Sequence, residues 1–335
     1  MQTQNKPVSL QTTLDITVVI PTFNGADKLP RVFDALRAQV TDPGLRWEVI
    51  VADNNSTDAT PDVVDRARDN WPDRVTLHYI PAPTQGAAYA RQAGVEAANS
   101  EIIAFLDDDN LPEPDWIQNV FAFAQEHPQV GAFGSQTYAI PPLPPSLKGP
   151  GTYIAVIDRQ HGLYKPENKI VPPTAGLAVR KQAWLHTVPE DLFLNFAGSD
   201  SEVASEDMEA MFYMQRGGWE IWHNSAMKMG HLIPPERLER RNLLKTVRRI
   251  GLSSHHLRRI RYTPWKRPFL TIAHGLKDRV DMFRHKLEHG EATPQDLCDA
   301  CKRVDLENTL KSPFHIWRIE RQRKREKRQR DNLNL

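Results

Sequence analysis

Residues 101–110, EIIAFLDDDN, constrain the fold of this chain more than any other stretch. Ile102 to Leu106 form a short apolar run closed by three consecutive carboxylates, Asp107, Asp108 and Asp109. An apolar run of that length with polar flanks suits a strand buried on both faces. The carboxylates then stand at its carboxyl end, where open α/β sheets place their ligands. Three adjacent like charges are tolerable on a solvated loop and unfavourable in an interior unless a cation compensates them. Hard divalent cations take oxygen ligands, and Mg²⁺ typically combines one or two carboxylates with substrate phosphates. In an extended segment Asp107 and Asp109 would point one way and Asp108 the other. An acidic turn or a helix N-cap before Pro112 is the plainer reading of the same residues.

The preceding chain repeats the pattern. Ile16 to Ile20 (ITVVI) is a β-branched run stopped by Pro21, followed by the turn residues Asn24-Gly25 and a helical pattern through Leu29, Val32, Phe33 and Leu36. Trp47 to Ala52 predicts a second strand ending at Asp53, then a polar loop from Asn54 to Asp58 and a helix from Ala59. Val75 to Ile80 predicts a third strand, and Gly86 to Ala98 an Ala-rich helix carrying Arg91. Strands alternating with helices imply an α/β, mainly parallel, doubly wound sheet. Its ligand loops should follow strands one, two and four. Neither GxGxxG after strand one nor GxxxxGK[ST] is present, which argues against those phosphate-cradling loops.

Further on, Pro112 to Gln125 predicts a helix with carboxylates in its first turn, and Val130 to Thr137 a strand. Prolines at 141, 142, 144, 145, 150 and 166 mark irregular backbone, expected to be a binding loop over the ligand edge, with disorder the plainer alternative. Thr174 to Arg180 reads as a returning strand. Ser205 is placed as the cap of a helix opening with Glu206-Asp207 and ending at Gly217-Gly218. Trp219 to Trp222 predicts one more strand.

VVIPTFNGADKLPRVFDAL, VIVADNNSTDAT, GAAYARQAG and IIAFLDDDNLPEPDWI, in this order and spacing, resemble the family-two glycosyltransferases of the GT-A fold over roughly residues 15–235. The resemblance implies inverting transfer of a sugar from a nucleotide diphosphate donor, with a UDP-sugar favoured, to a hydroxyl of a glycan or lipid-linked acceptor. It implies Asp53 against the donor's base, Arg91 near the nucleotide, and Pro21, Thr22, Asn24, Asn55 and Asp108 around it. For Thr22, Asn24 and Asn55 turn chemistry accounts for the residue types equally well; for Asp53 the competing role is a helix cap. By the same resemblance Asp107 and Asp109 hold the ribose and a divalent cation, Mn²⁺ or Mg²⁺, on the diphosphate. His231 completes the metal site, with His223 as its competitor. Asp207 is the catalytic base and Glu206 its neighbour, which orients the acceptor.

Composition divides the chain. Its net charge is +1, yet residues 236–335 carry 26 Lys+Arg against 13 Asp+Glu, so +13 there faces −12 in the first 235. Three regions are expected: a flexible N-terminus over 1–14, a GT-A domain over 15–235, and a basic, mainly helical region over 236–335. Basic amphipathic segments mixed with Trp and Phe suit an anionic membrane surface. A solvated charged helix is the plainer alternative, and nucleic acid is not expected as a partner. The two cysteines, Cys298 and Cys301, form no zinc pattern and read as ordinary thiols of a reducing compartment. The first residues lack an apolar signal core, and no run is long enough to span a membrane. Together these lead to the expectation of a cytoplasmic protein, peripheral at the inner face of the plasma membrane, and the resemblance implies a place in bacterial cell-surface polysaccharide synthesis. The rival readings are a sugar nucleotidylyltransferase, which would want a Gly- and Arg-rich first loop, and a non-catalytic nucleic-acid or membrane-binding protein.

Overall fold

The computed structural model describes residues 14–147, 149–168, 170–195, 202–290 and 294–333. The expected flexible stretch 1–14 lies, apart from Leu14, outside the described residues.

The first half alternates strand and helix: β1 (Leu14–Thr22), α1 (Leu29–Arg37), β2 (Trp47–Asp53), α2 (Thr60–Arg68), β3 (Thr76–Pro81), α3 (Ala87–Ala97) and β4 (Ser100–Phe105). β3, β2, β1 and β4 lie side by side, all parallel. In β1, β2 and β4 the β-branched and aromatic side chains are buried on both faces, as a parallel sheet requires, while the edge strand β3 is only half-buried. Pro21 does not stop β1. The strand continues to Thr22, with Pro21 opposite Ala52 and Thr22 opposite Asp53. In α3, a Cβ at Gly94 would come within 2.2 Å of Val19 Cγ1. Only glycine lets that helix lie so close to β1, which sets the depth of Arg91 one turn earlier.

The second half adds β5 (Asn110–Pro112), α4 (Trp116–Glu126), β6 (Val130–Ile140), β7 (Gly162–Leu163), β8 (Leu177–Arg180), α5 (Lys181–Thr187), α6 (Glu206–Arg216) and β9 (Glu220–Leu232). β8 is inserted antiparallel between β4 and β6. β9 runs parallel to β6 and carries β5 and β7 antiparallel on its outer side. The strand expected at Trp219 to Trp222 is thus only the start of a much longer one. The helix expected from Pro112 starts at Trp116 instead, because Asn110 to Pro112 spend their backbone groups pairing with β9, and its first turn contains no acid.

Among the described residues four α-helices follow: α7 (Pro235–Leu238), α8 (Arg240–Arg261), α9 (Arg267–His289) and α10 (Leu297–Leu333). Leu257 and Ile260 of α8 and Ile316 of α10 join the apolar layer beneath the sheet. Leu147 and Ile154 of the proline-rich segment pack with Leu243 and Val247 of α8 and Cys301 of α10. That segment is anchored against the C-terminal helices by two short 3₁₀ turns.

Candidate active site

The three consecutive aspartates do not share an extended backbone. β4 ends at Phe105 and the chain turns, with the Asn110 amide donating to the Asp107 carbonyl at 3.0 Å and the Asn110 side chain accepting from the Asp107 amide at 3.3 Å. The carboxylates therefore diverge, each toward its own cation. Asp107 Oδ1 lies 3.1 Å from Arg91 Nη2. Asp108 accepts from Thr22 Oγ1 at 2.7 Å and Lys28 Nζ at 3.0 Å. Asp109 Oδ2 lies 3.4 Å from His231 Nε2 and 3.4 Å from Arg237 Nη1. The expectation that Asp107 and Asp109 point the same way fails here, because separate cations relieve three adjacent charges better than a shared face does.

Burial holds Asp108 above the ordinary carboxylate range although Lys28 and Thr22 pull the other way. For Asp109 burial also pushes up, but the hydrogen bond and charge of His231, with Arg237, prevail and hold it below that range.

The pairing of β5 with β9 explains why His231 is the histidine at this point. It sets Asn110 opposite His231, which brings the imidazole beside Asp109. His223, eight residues back, is buried near β7 and bonded to Gln136 at 3.0 Å. Its partner on β6, Gly134, is five residues from Ala139, the partner of His231, so at about 3.3 Å per residue it stands some 16 Å along the sheet from the aspartates. It takes no part.

Asp53 ends β2 at the same sheet edge, buried. Its Oδ1 accepts from the Ser56 amide at 3.0 Å and from the Ser56 hydroxyl, and its Oδ2 accepts from the Tyr79 hydroxyl at 2.6 Å. This is a local turn rather than a helix cap; Asp58 serves the helix start through the Thr60 amide at 3.0 Å. Burial, and then the Asp53 carboxylate, push the Tyr79 hydroxyl up to about 12. Asn24 and Asn55 both sit at positive φ, 51° and 66°. Asn24 ties the first loop to the second by donating its amide to Ser56 Oγ at 2.8 Å and accepting from the Thr57 amide at 2.8 Å. Turn chemistry is what these two asparagines display. Pro21 and Thr22 are buried at the end of β1.

Arg91 links the sheet edge to α6. Its guanidinium, 7% exposed, donates to Asp107 and, through Nη1, to Glu206 Oε1 at 3.2 Å. Burial alone would depress it, but Asp107, Glu206 and Asp207 together raise it above its ordinary value. Glu206 is pushed up to about 7, first by burial and then by the neighbouring Asp207 charge, against the pull of Arg91. Burial likewise raises Asp207, opposed by the Met208 amide, which donates to its Oδ1 at 2.7 Å, and by Arg91. Among the described residues no side chain donates to Asp207, so its carboxylate is the uncommitted one of the pair. Ser205 does not cap the helix: it adopts a left-handed conformation, φ 83°, with no side-chain cap bond. The helix start is instead held from behind by buried Glu209, which accepts from the Leu194 amide at 2.7 Å and from His256 of α8 at 2.7 Å.

A divalent cation can be tested against this donor set. Asp109 Oδ2 and His231 Nε2 converge, and the Arg237 guanidinium stands beside both, 3.4 and 3.3 Å away. One oxygen and one imidazole nitrogen suit Mn²⁺, and a positive group already occupies the space they face. Asp107 is turned to Arg91, and among the described residues no three His, Cys, Asp or Glu side chains are grouped to hold an ion. The residues fit a cation held by two protein ligands and completed by substrate phosphates, not the three-ligand set Asp107–Asp109–His231.

Lys28, Arg237, Tyr79 and Glu209 were not picked out from the sequence. Lys28, Arg237 and Tyr79 each touch a residue that was, through a contact between distant segments, and Glu209 braces the helix that carries Glu206 and Asp207. The local signals were Arg237, six residues after His231 in the short helix that follows the last strand, and Glu209, in the acidic first turn of α6.

The parallel sheet edge with its acidic turn, and the carboxylate helix facing it, define an α/β protein with a candidate site at the carboxyl edge of its sheet. A family model described as Glycosyl transferase family 2 matches residues 17–186, half of the chain, and the chain belongs to that family. The Validoxylamine A glucosyltransferase of Streptomyces hygroscopicus subsp. limoneus is 38% identical over 109 residues, covering 32% of this chain and 23% of that protein. The succinoglycan biosynthesis protein ExoO of Rhizobium meliloti is 34% identical over 114 residues, 34% of this chain and 31% of its own. The chain thus spans a quarter to a third of the length of these relatives. Among solved structures, the mannosyltransferase PcManGT from Pyrobaculum calidifontis, in complex with GDP-Man and Mn²⁺, superposes with a TM-score of 0.51 at 17% identity, covering 92% of this chain and 74% of that one. The architecture is the GT-A fold, with a helical C-terminal region added.

Proposed function

We propose that this chain transfers a sugar from a nucleotide diphosphate donor, preferentially a UDP-sugar, to a hydroxyl of a glycan or lipid-linked acceptor, with inversion at the anomeric carbon. The observation that carries the reading is the Arg91 bridge. It sets the Glu206-Asp207 helix start directly beside the acidic turn at the carboxyl edge of the sheet. Donor and acceptor chemistry thereby meet at one place.

In this reading Asp53 and Tyr79 face the base, and Thr22, Lys28 and Asp108 form the floor of the nucleotide cleft. Asp109 and His231 would hold a divalent cation, Mn²⁺ or Mg²⁺, which would supply Lewis-acid relief of the charge developing on the departing diphosphate. Arg237 moves aside when the donor enters and adds a positive charge at the rim. Asp207 takes the proton of the acceptor hydroxyl as its oxygen attacks the anomeric carbon and the diphosphate leaves. Its raised proton affinity brings it nearer the working pH than an exposed aspartate would be. Glu206, fixed by Arg91, keeps Asp207 in place and orients the acceptor. Lipid-linked acceptors and the basic C-terminal region suggest work at the inner face of the plasma membrane, in cell-surface polysaccharide synthesis. The relative ExoO, named for succinoglycan biosynthesis, points the same way.

The test is calorimetric titration with UDP, with and without Mn²⁺, followed by a nucleotide-sugar hydrolysis screen. UDP should bind far more weakly after EDTA treatment, and one nucleotide-sugar should be hydrolysed above the rest. Equal UDP affinity with and without metal sinks the cation role; no hydrolysis of any nucleotide-sugar sinks the donor assignment.

A further inference from the structure

Helix α9 leaves a whole face bare. Phe269, Ile272, Leu276, Val280, Phe283 and Leu287 recur three or four residues apart and are 49–72% exposed. At about 100° per residue they fall within an arc of about 80°. Trp265, in the turn just ahead of the helix, is 69% exposed. The opposite side of α9 is the one that docks: Asp278, Met282 and His285 are buried there, with Asp278 taking both guanidinium nitrogens of Arg258 from α8. Scattered single apolar residues on a surface are ordinary, but a continuous stripe six side chains long marks a docking surface.

The charges around it say what docks. On the same wheel Arg284 and Lys277 border the stripe on one side, Lys277 paired with Asp281 and followed by Glu288, while Arg279 and Lys286 border it on the other, where the wheel carries no acid of α9, and Asp278 lies on the far face. An open cleft of about 290 Å³ between α8, α9 and α10 is walled by Arg267 and Arg279 and also by Ile272 and Leu276 of the stripe. Neither of those arginines has a carboxylate partner among the described residues. An apolar face edged by Arg279, Arg284 and Lys286, with no acid within the stripe itself, complements a surface that is hydrocarbon at depth and anionic at its rim. Pairing with a second copy would set two basic rims against each other. Trp265 stands at the end of the stripe, with Lys266 Nζ 5.0 Å from its ring centroid, an amphipathic position suited to the headgroup level.

We infer that α9 lies in the plane of an anionic lipid bilayer with its Phe269–Leu287 face inserted among the acyl chains, and that this helix, rather than the basic end of α10, attaches the protein to the membrane. The inference deepens the membrane-surface reading given above and rests on it. Insertion of apolar side chains gives affinity that salt does not screen, while the flanking cations select anionic lipid.

The experiment is co-sedimentation of the full chain with phosphatidylcholine vesicles, with and without phosphatidylglycerol, at low and high salt. Leu276→Gln/Phe283→Gln alters two exposed side chains far from the catalytic groups, and Arg321→Gln/Arg325→Gln lowers the charge of α10. Wild type should sediment with phosphatidylglycerol vesicles and retain part of that binding in high salt. The Leu276→Gln/Phe283→Gln protein should lose at least about tenfold in partitioning, whereas the Arg321→Gln/Arg325→Gln protein should lose only a few-fold. If the tail variant abolishes binding and the α9 variant does not, the α9 assignment falls and the membrane reading stands. If wild type sediments with neither vesicle, both fall. If wild type is a dimer that Leu276→Gln/Phe283→Gln makes monomeric, the stripe belongs to a second copy and the lipid assignment is overturned.

Discussion

Replacing Arg91 by methionine removes the one positive charge that three carboxylates share while keeping most of the stem volume. Arg91 contacts Asp107 at 3.1 Å and Glu206 at 3.2 Å, and its charge also acts on Asp207. Removing one partner of a buried ion pair typically costs about 3–5 kcal/mol, because the partner's charge stays buried without compensation. The loss should depend on pH in a defined direction. Burial and the Asp207 charge already raise Glu206 to about 7, and Arg91 is what opposes them, so the variant raises it further. An acid whose folded value exceeds its unfolded value stabilises below the unfolded value, and that stability is lost as pH rises through the folded one. Urea unfolding of Arg91→Met followed by circular dichroism should therefore show the full deficit at about pH 8.5 and a clearly smaller one at about pH 6, where Glu206 is protonated. Adding Glu206→Gln should restore about 1–3 kcal/mol at the higher pH. A deficit equal at both values, with no gain from the second substitution, would refute the shared-charge account and leave Arg91 as a packing residue only.

Two further substitutions separate the roles of the acidic turn. Asp109→Asn should weaken Mn²⁺-dependent UDP binding at least about tenfold, while Asp108→Asn, which breaks the ties to Thr22 and Lys28, should chiefly lower stability, by about 1–3 kcal/mol; thermal unfolding and calorimetry on both proteins check the split. Arg237→Met should strengthen binding of Mn²⁺ alone about two- to fivefold, since a half-exposed cation no longer competes for Asp109 and His231. Weaker Mn²⁺ binding in that variant would show that Arg237 does not compete with the ion.

The strand–helix alternation of the first half was legible because each strand is a compact β-branched run ended by turn residues, and each helix shows apolar spacing near 3.6. The acidic turn, the Arg91 helix and the Glu206-Asp207 helix were legible for the same reason, since their groups are contiguous in sequence. What escaped was set by pairing across the sheet. β5 is three residues long and exists only because β9 runs beside it, and that pairing, not any local pattern, brings His231 to Asp109. The direction in which each aspartate points was likewise hidden, being fixed by Arg91, Lys28 and Arg237 from three separate segments. Ser205 misled because a serine before an acidic helix start reads as a cap, whereas its left-handed backbone turns the hydroxyl away from that role. The irregular backbone of the proline-rich segment was legible, but its anchoring was not, because the prolines masked Leu147 and Ile154, which pack it against α8 and α10.

The central claim is that α6 delivers a catalytic base to a sheet-edge donor site, and turnover of the Asp207→Asn and Glu206→Gln proteins tests it most directly. With the nucleotide-sugar that the hydrolysis screen selects, Asp207→Asn keeps the shape and removes the basicity. It should lower kcat by about 10²–10⁴-fold with UDP affinity nearly unchanged, while Glu206→Gln should lower it by no more than about tenfold. Near-normal turnover in Asp207→Asn together with a large loss in Glu206→Gln would contradict the assignment and move the base to Glu206; near-normal turnover in both would leave the carboxylate pair with a structural role alone.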